Sequence, residues 1–172
     1  HLPRGGARVG VMPLQLIGTT EAEAHLGAGL AEEITSALAR FRWMFLVSSS
    51  SLARFATQTR DEAAIRRAFD IDFLLDGTIQ RVQGRLRVAM RLLDLRAGNQ
   101  VVWSRRFDRQ ADDLLTLQDE IAAEAVAQID PEILLIESQR VASRPVSDPS
   151  AYDLLLRALA LIDRLERSQF VQ

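Results

Sequence analysis

Between Val102 and Asp113 the chain reads V-W-S-R-R-F-D-R-Q-A-D-D, placing Arg105, Arg106 and Arg109 among Asp108, Asp112 and Asp113. Carboxylates beside guanidinium groups are the raw material of acid/base chemistry. A catalytic pair, however, needs surroundings that drive two pKa values apart, and this stretch reads as exposed. Strand alternation sends Val101, Trp103 and Phe107 inward and Ser104 and Arg106 outward. Arg105 has inward parity, so it should lie at the sheet margin or meet an acid. Asp108 and Arg109 are expected to leave the strand, and Asp112 or Asp113 to cap the helix that follows. Each charge thus has a structural role, and no catalytic residue is assigned here.

The other reactive types are sparse. His25 is the only histidine beyond the first residue, and with no cysteine in the chain it has no metal-site partner. Ser48 to Ser51 lack a G-x-S-x-G context and read as a polar loop. Gly27 and Gly29 do not follow a strand and lack a third glycine, so close helix packing explains them better than a dinucleotide fingerprint. No cofactor or metal site is expected. The strongest surface candidate is Arg85, Arg87 and Arg91, joined by Arg106. On strand spacing these form a positive strip suited to phosphate or acidic peptide, or a solvated face held by ion pairs. No aromatics interleave for base stacking, and the net charge is only −2, so direct nucleic-acid binding is not expected.

The elements that must position these residues follow from composition and periodicity. With 172 residues, 48% hydrophobic and 26% charged, the chain suits one globular domain with an appended element. Every basic side chain is Arg, which reads as biased genome composition. No apolar run reaches the length of a membrane span. The compartment stays open, with the cytoplasm favoured. H-L-P-R-G-G at the start suggests a cloning scar or linker over 1–7, and the chain as a whole an excised fragment.

A strand is predicted over Arg8 to Met12, ending at Pro13. Thr19 and Thr20 signal a helix to about Arg40, with Leu26, Leu30, Ile34, Leu38 and Phe41 as its apolar stripe. Trp43 to Val47 reads as a buried strand. A short helix starting at Asp61 turns Ile65, Ala68 and Phe69 inward. Phe73 to Val82, Arg85 to Leu95 and Val101 to Phe107 form a three-strand meander. Leu114, Leu117, Ile121 and Ala125 mark the next helix, and Asp130-Pro131 reads as an N-cap and first-turn proline restarting a helix to about Val141. After a linker, Asp148-Pro149 starts a last helix with Tyr152, Leu155, Leu156, Leu159 and Ile162 on one side. The fold class expected is α/β (α+β), a mixed sheet of about five strands with helices packed on it and further helices at the C-terminus.

Several of these segments, in this order, resemble the TolB amino-terminal-like domain of bacterial multidomain signalling proteins. The residues concerned are R-V-G-V-M-P-L (Arg8 to Leu14), Gly29 to Val47, F-D-I-D-F-L-L-D-G-T-I-Q-R (Phe69 to Arg81), Arg85 to Arg109 and L-Q-D-E-I-A (Leu117 to Ala122). Q-L-I-G-T-T-E-A-E-A-H-L departs from the family pattern, which has a Pro-Phe and an acidic-aromatic loop there. D-P-S-A-Y-D-L-L-L-R-A-L-A (Asp148 to Ala160) resembles the entry into tetratricopeptide repeats.

The resemblance implies a domain over 8–142 followed by a linker and first repeat helix over 143–172. It further implies a place downstream of a winged-helix DNA-binding domain or a class III adenylate/guanylate cyclase, and no catalytic residues. The function expected is a regulatory, protein-interaction module coupling a repeat array to an effector, or else a small-molecule sensor with a pocket between the first helix and the sheet. Expected partners are proteins or other domains of the same chain, with homodimers possible through Tyr152, Leu155, Leu159 and Ile162.

Overall fold

The computed structural model describes residues 6–18, 21–56, 61–143 and 151–169. The first strand, β1 (Ala7–Val11), is A-R-V-G-V, and all of it but Arg8 is fully buried, as a central strand with both faces covered demands. It pairs in parallel with β3 (Met44–Val47) on one side and β4 (Phe73–Val82) on the other, with Val9 opposite both Leu46 and Phe73. Pro13 interrupts the ladder because it has no N–H to give. The chain steps aside through Met12 and Leu14, whose N–H groups bond Leu75 O and Gly27 O, and resumes as β2 (Gln15–Ile17) beside the second half of β4. From β4 the chain turns back through β5 (Arg85–Asp94) and β6 (Gln100–Gln110), each antiparallel to its predecessor. The mixed sheet therefore has six strands, in the order β3-β1-β4-β5-β6 with β2 also on β4.

Two helices cover one face. In α1 (Leu26–Leu38) the stripe Leu26, Leu30, Ile34 and Leu38 is buried, and in α4 (Leu114–Ala142) so are Leu117, Ile121, Ala125, Ile129 and Ile133. Together with Phe73, Leu75, Ile79, Leu86, Val88, Met90, Leu92 and Phe107 they form the main core. Gly29 lets the two helices approach, since a Cβ there would lie 2.2 Å from Gln118 Oε1. The opposite face is covered at one end by α2 (Ser49–Ala56) and α3 (Glu62–Phe69) over a smaller core of Met12, Leu52, Ile65, Ile71, Leu74, Leu93 and Leu95. Beyond them no described element covers β2, β5, β6 or the far half of β4. A fifth helix, α5 (Ala151–Gln169), folds back on α4.

The fold class and the meander match the sequence reading; several details do not. β3, read as a buried strand, is an edge of the sheet with Met44 buried and Phe45 exposed. β2 is a strand of three residues, too short for any periodicity to reveal. The serines do not form a loop: Ser49, Ser50 and Ser51 make the first turn of α2, where Ser49 Oγ donates to Glu32 and Leu52 fills the smaller core. Asp130-Pro131 starts nothing, because α4 runs unbroken across it; Pro131 sits on the exposed side between the buried Ile129 and Ile133. Asp108 and Arg109 remain within β6. Ala68 is exposed, and Ile65 carries the burial of α3. The helix expected from Thr19-Thr20 begins only at Leu26, after a 3-10 turn over Glu21–Glu23. Thr19-Thr20 themselves, the expected start at Asp148-Pro149 and most of the segments 1–7 and 143–150 lie outside the described residues.

Candidate functional site

The alternation of β5 sets Leu86, Val88, Met90 and Leu92 into the main core and turns Arg85, Arg87, Ala89 and Arg91 to the uncovered face. Cross-strand register adds Ser104, Arg106 and Asp108 from β6 and Asp76, Thr78 and Gln80 from β4. All four arginines expected to form one strip do share one face. They do not form a bare positive patch. Arg87 Nε lies 2.9 Å from Asp108, and Arg106 lies 4.0 Å from the same carboxylate. Arg91 grips both oxygens of Asp76 through Nε (2.8 Å) and Nη2 (3.2 Å).

The electrostatics follow from these contacts. The hydrogen bond from Arg87, reinforced by the charges of Arg87, Arg106 and Arg85, holds the Asp108 carboxyl below its ordinary range. The Asp76 hydrogen bond and charge push Arg91 up, with a smaller contribution from Glu62. Asp76, Thr78, Ala89 and Ser104 were not singled out from sequence. The polar parity of D-G-T-I-Q in β4 hints at the first two; the pairing with β5 that brings them to Arg91 does not exist until the register is known.

The rest of the opening stretch is structural. Arg105 and Arg109 lie across the β6 margin from α4, reach Glu124 at 3.3 and 3.0 Å, and stack on Phe107. Asp113 is the N-cap of α4, accepting from Thr116 N–H and Oγ1–H. Those hydrogen bonds lower the Asp113 carboxyl from its ordinary value. His25 is exposed at the start of α1. Among the described residues no three His, Asp or Glu side chains converge as a metal ligand set, and no helix is long and apolar enough to cross a membrane.

The α5 residues form a second surface on an element separate from the sheet. Leu156 and Ala160 are buried, whereas Leu154, Leu155, Leu161, Ile162 and Leu165 are all more than half exposed. Leu159 is half-buried, and the side chain of Tyr152 lies outside the described residues. On a helical wheel the exposed leucines occupy the side away from Leu156 and Ala160.

One buried cluster ties these parts together. Asp72, Asp94 and Glu137 are all buried. Arg96 bonds Glu137, lies 3.5 Å from Asp72 and stacks on Phe73, while its backbone N–H donates to Asp94. Arg140 donates to Asp94 at 2.8 Å, and the Arg8 N–H to Asp72 at 3.0 Å. The C-terminal half of α4, against which α5 lies, is thereby pinned to the ends of β1, β4 and β5.

Comparison with known proteins agrees with this architecture. Residues 6–124 match the family described as HilA/YgeH-like transcriptional regulator, second domain. A relative from Rhizobium meliloti (strain 1021), named "Putative adenylate cyclase 3", is 26% identical over 150 residues, covering 87% of this chain. The chain spans only 25% of that protein. Among solved structures, TolB from Acinetobacter baumannii has a TM-score of 0.52 at 13% identity, over 74% of this chain and 28% of that one. PelC from Paraburkholderia phytofirmans, solved as a dodecamer, has a TM-score of 0.50 at 16% identity, over 76% of this chain and 90% of that one. At such identities these two share the fold alone. The family match spans well over half of the chain, from Gly6 before β1 into α4, and by it the chain belongs to the HilA/YgeH-like transcriptional regulators, as their second domain.

Proposed function

We propose that this domain is a non-catalytic regulatory and protein-interaction module. In this reading it couples a helical repeat array, docked on α5, to an effector domain of the same chain, either an adenylate cyclase or a DNA-binding regulator. The observation that carries it is the outer face of α5, where five large apolar side chains stand in water although the helix already has α4 as a partner. Scattered exposed leucines are ordinary, but a contiguous stripe on one helix marks a docking face. The buried Arg96–Glu137 and Arg140–Asp94 pairs supply a stiff connection from that hairpin to the sheet. The regulator family and the cyclase-named relative support the effector classes.

The rival sensor reading places a metabolite between the first long helix and the sheet. That interface is filled: Leu26, Leu30, Ala31, Ile34 and Leu38 are buried against the strands.

Sedimentation of the isolated chain over a wide concentration range tests the docking face. Self-association that obeys mass action is expected, abolished in the Leu155→Glu/Ile162→Glu double variant with no loss of helicity. A chain that stays monomeric up to its solubility limit would remove α5 as an interaction surface.

A further inference from the structure

The uncovered face of the sheet has a dent where the row of long side chains gives way to a single methyl group. Along β5 that face presents Arg85, Arg87, Ala89 and Arg91, so Ala89 interrupts a row of long side chains. Ala89 stands opposite Thr78 on β4 and Arg106 on β6, and Thr78 stands opposite Gln15 on β2. The adjoining row runs Asp76, Arg91, Ser104. A cavity of about 390 Å³ opens over the two rows, lined by Gln15, Asp76, Thr78, Ala89, Arg91 and Ser104. That volume lies within the range of small-ligand sites.

The geometry points to a binding site for a small polar metabolite bearing a carboxylate or phosphate group, anchored by Arg91. Three observations carry this beyond the coupling function. First, Arg91 is fixed in advance. Its Nε and Nη2 hold the two oxygens of Asp76, whose side chain is 5% exposed, while the arginine side chain itself is 48% exposed. The Nη1 edge makes no hydrogen bond among the described residues. A guanidinium locked by a buried acid loses little freedom when it takes an oxyanion on its remaining edge.

Second, the lining supplies neutral hydrogen-bonding groups at the same place: the Thr78 and Ser104 hydroxyls and the Gln15 amide. Third, the charges around the dent sum in favour of an anion. Arg85, Arg87, Arg91 and Arg106 share the face with Asp76 and Asp108, and Glu62 of α3 is a further acid that acts on Arg91. Arg87 and Arg106 are both drawn to Asp108, which leaves Arg91 as the fork that enters the cavity.

Calorimetric titration of the intact chain with citrate, as the carboxylate probe, and with glucose 6-phosphate, as the phosphate probe, tests the site. Binding of at least one is expected, and which one identifies the oxyanion. Arg91→Lys keeps a charge on Asp76 but removes the fork, and Ala89→Leu fills the dent without touching Arg91. Each should weaken binding by about tenfold or more, because a lost bidentate contact or an occupied site is not compensated. Should Arg91→Lys fail to fold, Ala89→Leu decides alone. Absence of binding by both probes up to about 10 mM, weaker than any affinity a fixed fork should give, would overturn the proposal. Binding unchanged in the folded variants would also overturn it, since the anion would then sit elsewhere.

Discussion

Arg96 serves more buried charge than any other described side chain. It faces Glu137 and Asp72 and stacks on Phe73, and its own side chain is 20% exposed. Replacing it with Ala takes the cation away from the buried Glu137 carboxylate, and loss of one partner of such a pair costs about 3–5 kcal/mol. For a chain of this size that is a fall in Tm of roughly 6–20 °C. The companion variant Arg96→Met/Glu137→Leu removes both charges of the closest pair and should recover most of the loss. Thermal unfolding of the two variants checks this; a cost below about 1 kcal/mol for Arg96→Ala would mean that solvent screens the cluster as it does a surface pair. None of this was legible in the sequence. Arg96 and Glu137 are 41 positions apart and Arg140 and Asp94 are 46 apart, and nothing local to either end marks them as partners. The arginine strip was legible, because alternation alone places Arg85, Arg87 and Arg91 on one face.

At the scale of elements, α4 overrode its own punctuation. Asp130-Pro131 is a strong start signal, yet a break there would pull Ile129 and Ile133 out of one continuous buried stripe. Burial outweighed the lost hydrogen bond, as it did in α2, where serines of modest helix propensity hold a turn because Leu52 is buried. The unbroken helix leaves a mark at Asp130. Its Oδ1 is buried without a hydrogen-bond partner among the described residues, and burial raises its carboxyl above the ordinary value of 3.8.

The unfolded chain keeps that ordinary value, so between the two values the folded state holds more protons. Stability therefore declines as pH rises through this window. The penalty is absent below the unfolded value and complete above the folded one. Asp130→Ala removes it and improves helix propensity, so at pH 7 it should stabilise by about 1 kcal/mol, a modest figure because the group is only partly buried. Urea midpoints at pH 7 and near pH 3.5 check the sign. The gain should shrink at the lower pH, and a variant less stable than the wild type at pH 7 would mean that the carboxylate has a partner in solution.

Across the whole molecule the sheet divides two cores of unequal size. Among the described residues the α1/α4 side buries 25 clustered hydrophobic residues and the α2/α3 side seven. Helices α2 and α3 have eight residues each, shorter than a helix that persists alone in water. They stay in place through Leu52, Ile65 and the edge-on contact of Phe55 with Phe69, whose ring centroids are 5.6 Å apart. Elements with so few buried contacts open sub-globally at less than the full unfolding free energy. Native-state hydrogen exchange should therefore show the amides of α2 and α3 exchanging together, ahead of those in α1, α4 and the β4–β6 meander.

Leu52→Ala separates this from simple fraying. Leu52 is fully buried and its Cδ1 packs on Gly10, 2.9 Å from where a Cβ there would stand, so truncation opens a cavity against β1 and costs about 2–5 kcal/mol. If the smaller core is a separate unit, that loss speeds exchange in α2 and α3 by the full factor the substitution implies. Global unfolding would be affected equally, while the sub-global openings that expose α1 and α4 alone would not change. If α2 and α3 exchange only with the rest of the chain, the two cores form one cooperative unit. The sheet would then transmit strain from one face to the other, and a ligand on Arg91, beside Glu62 of α3, would be felt as far as α5.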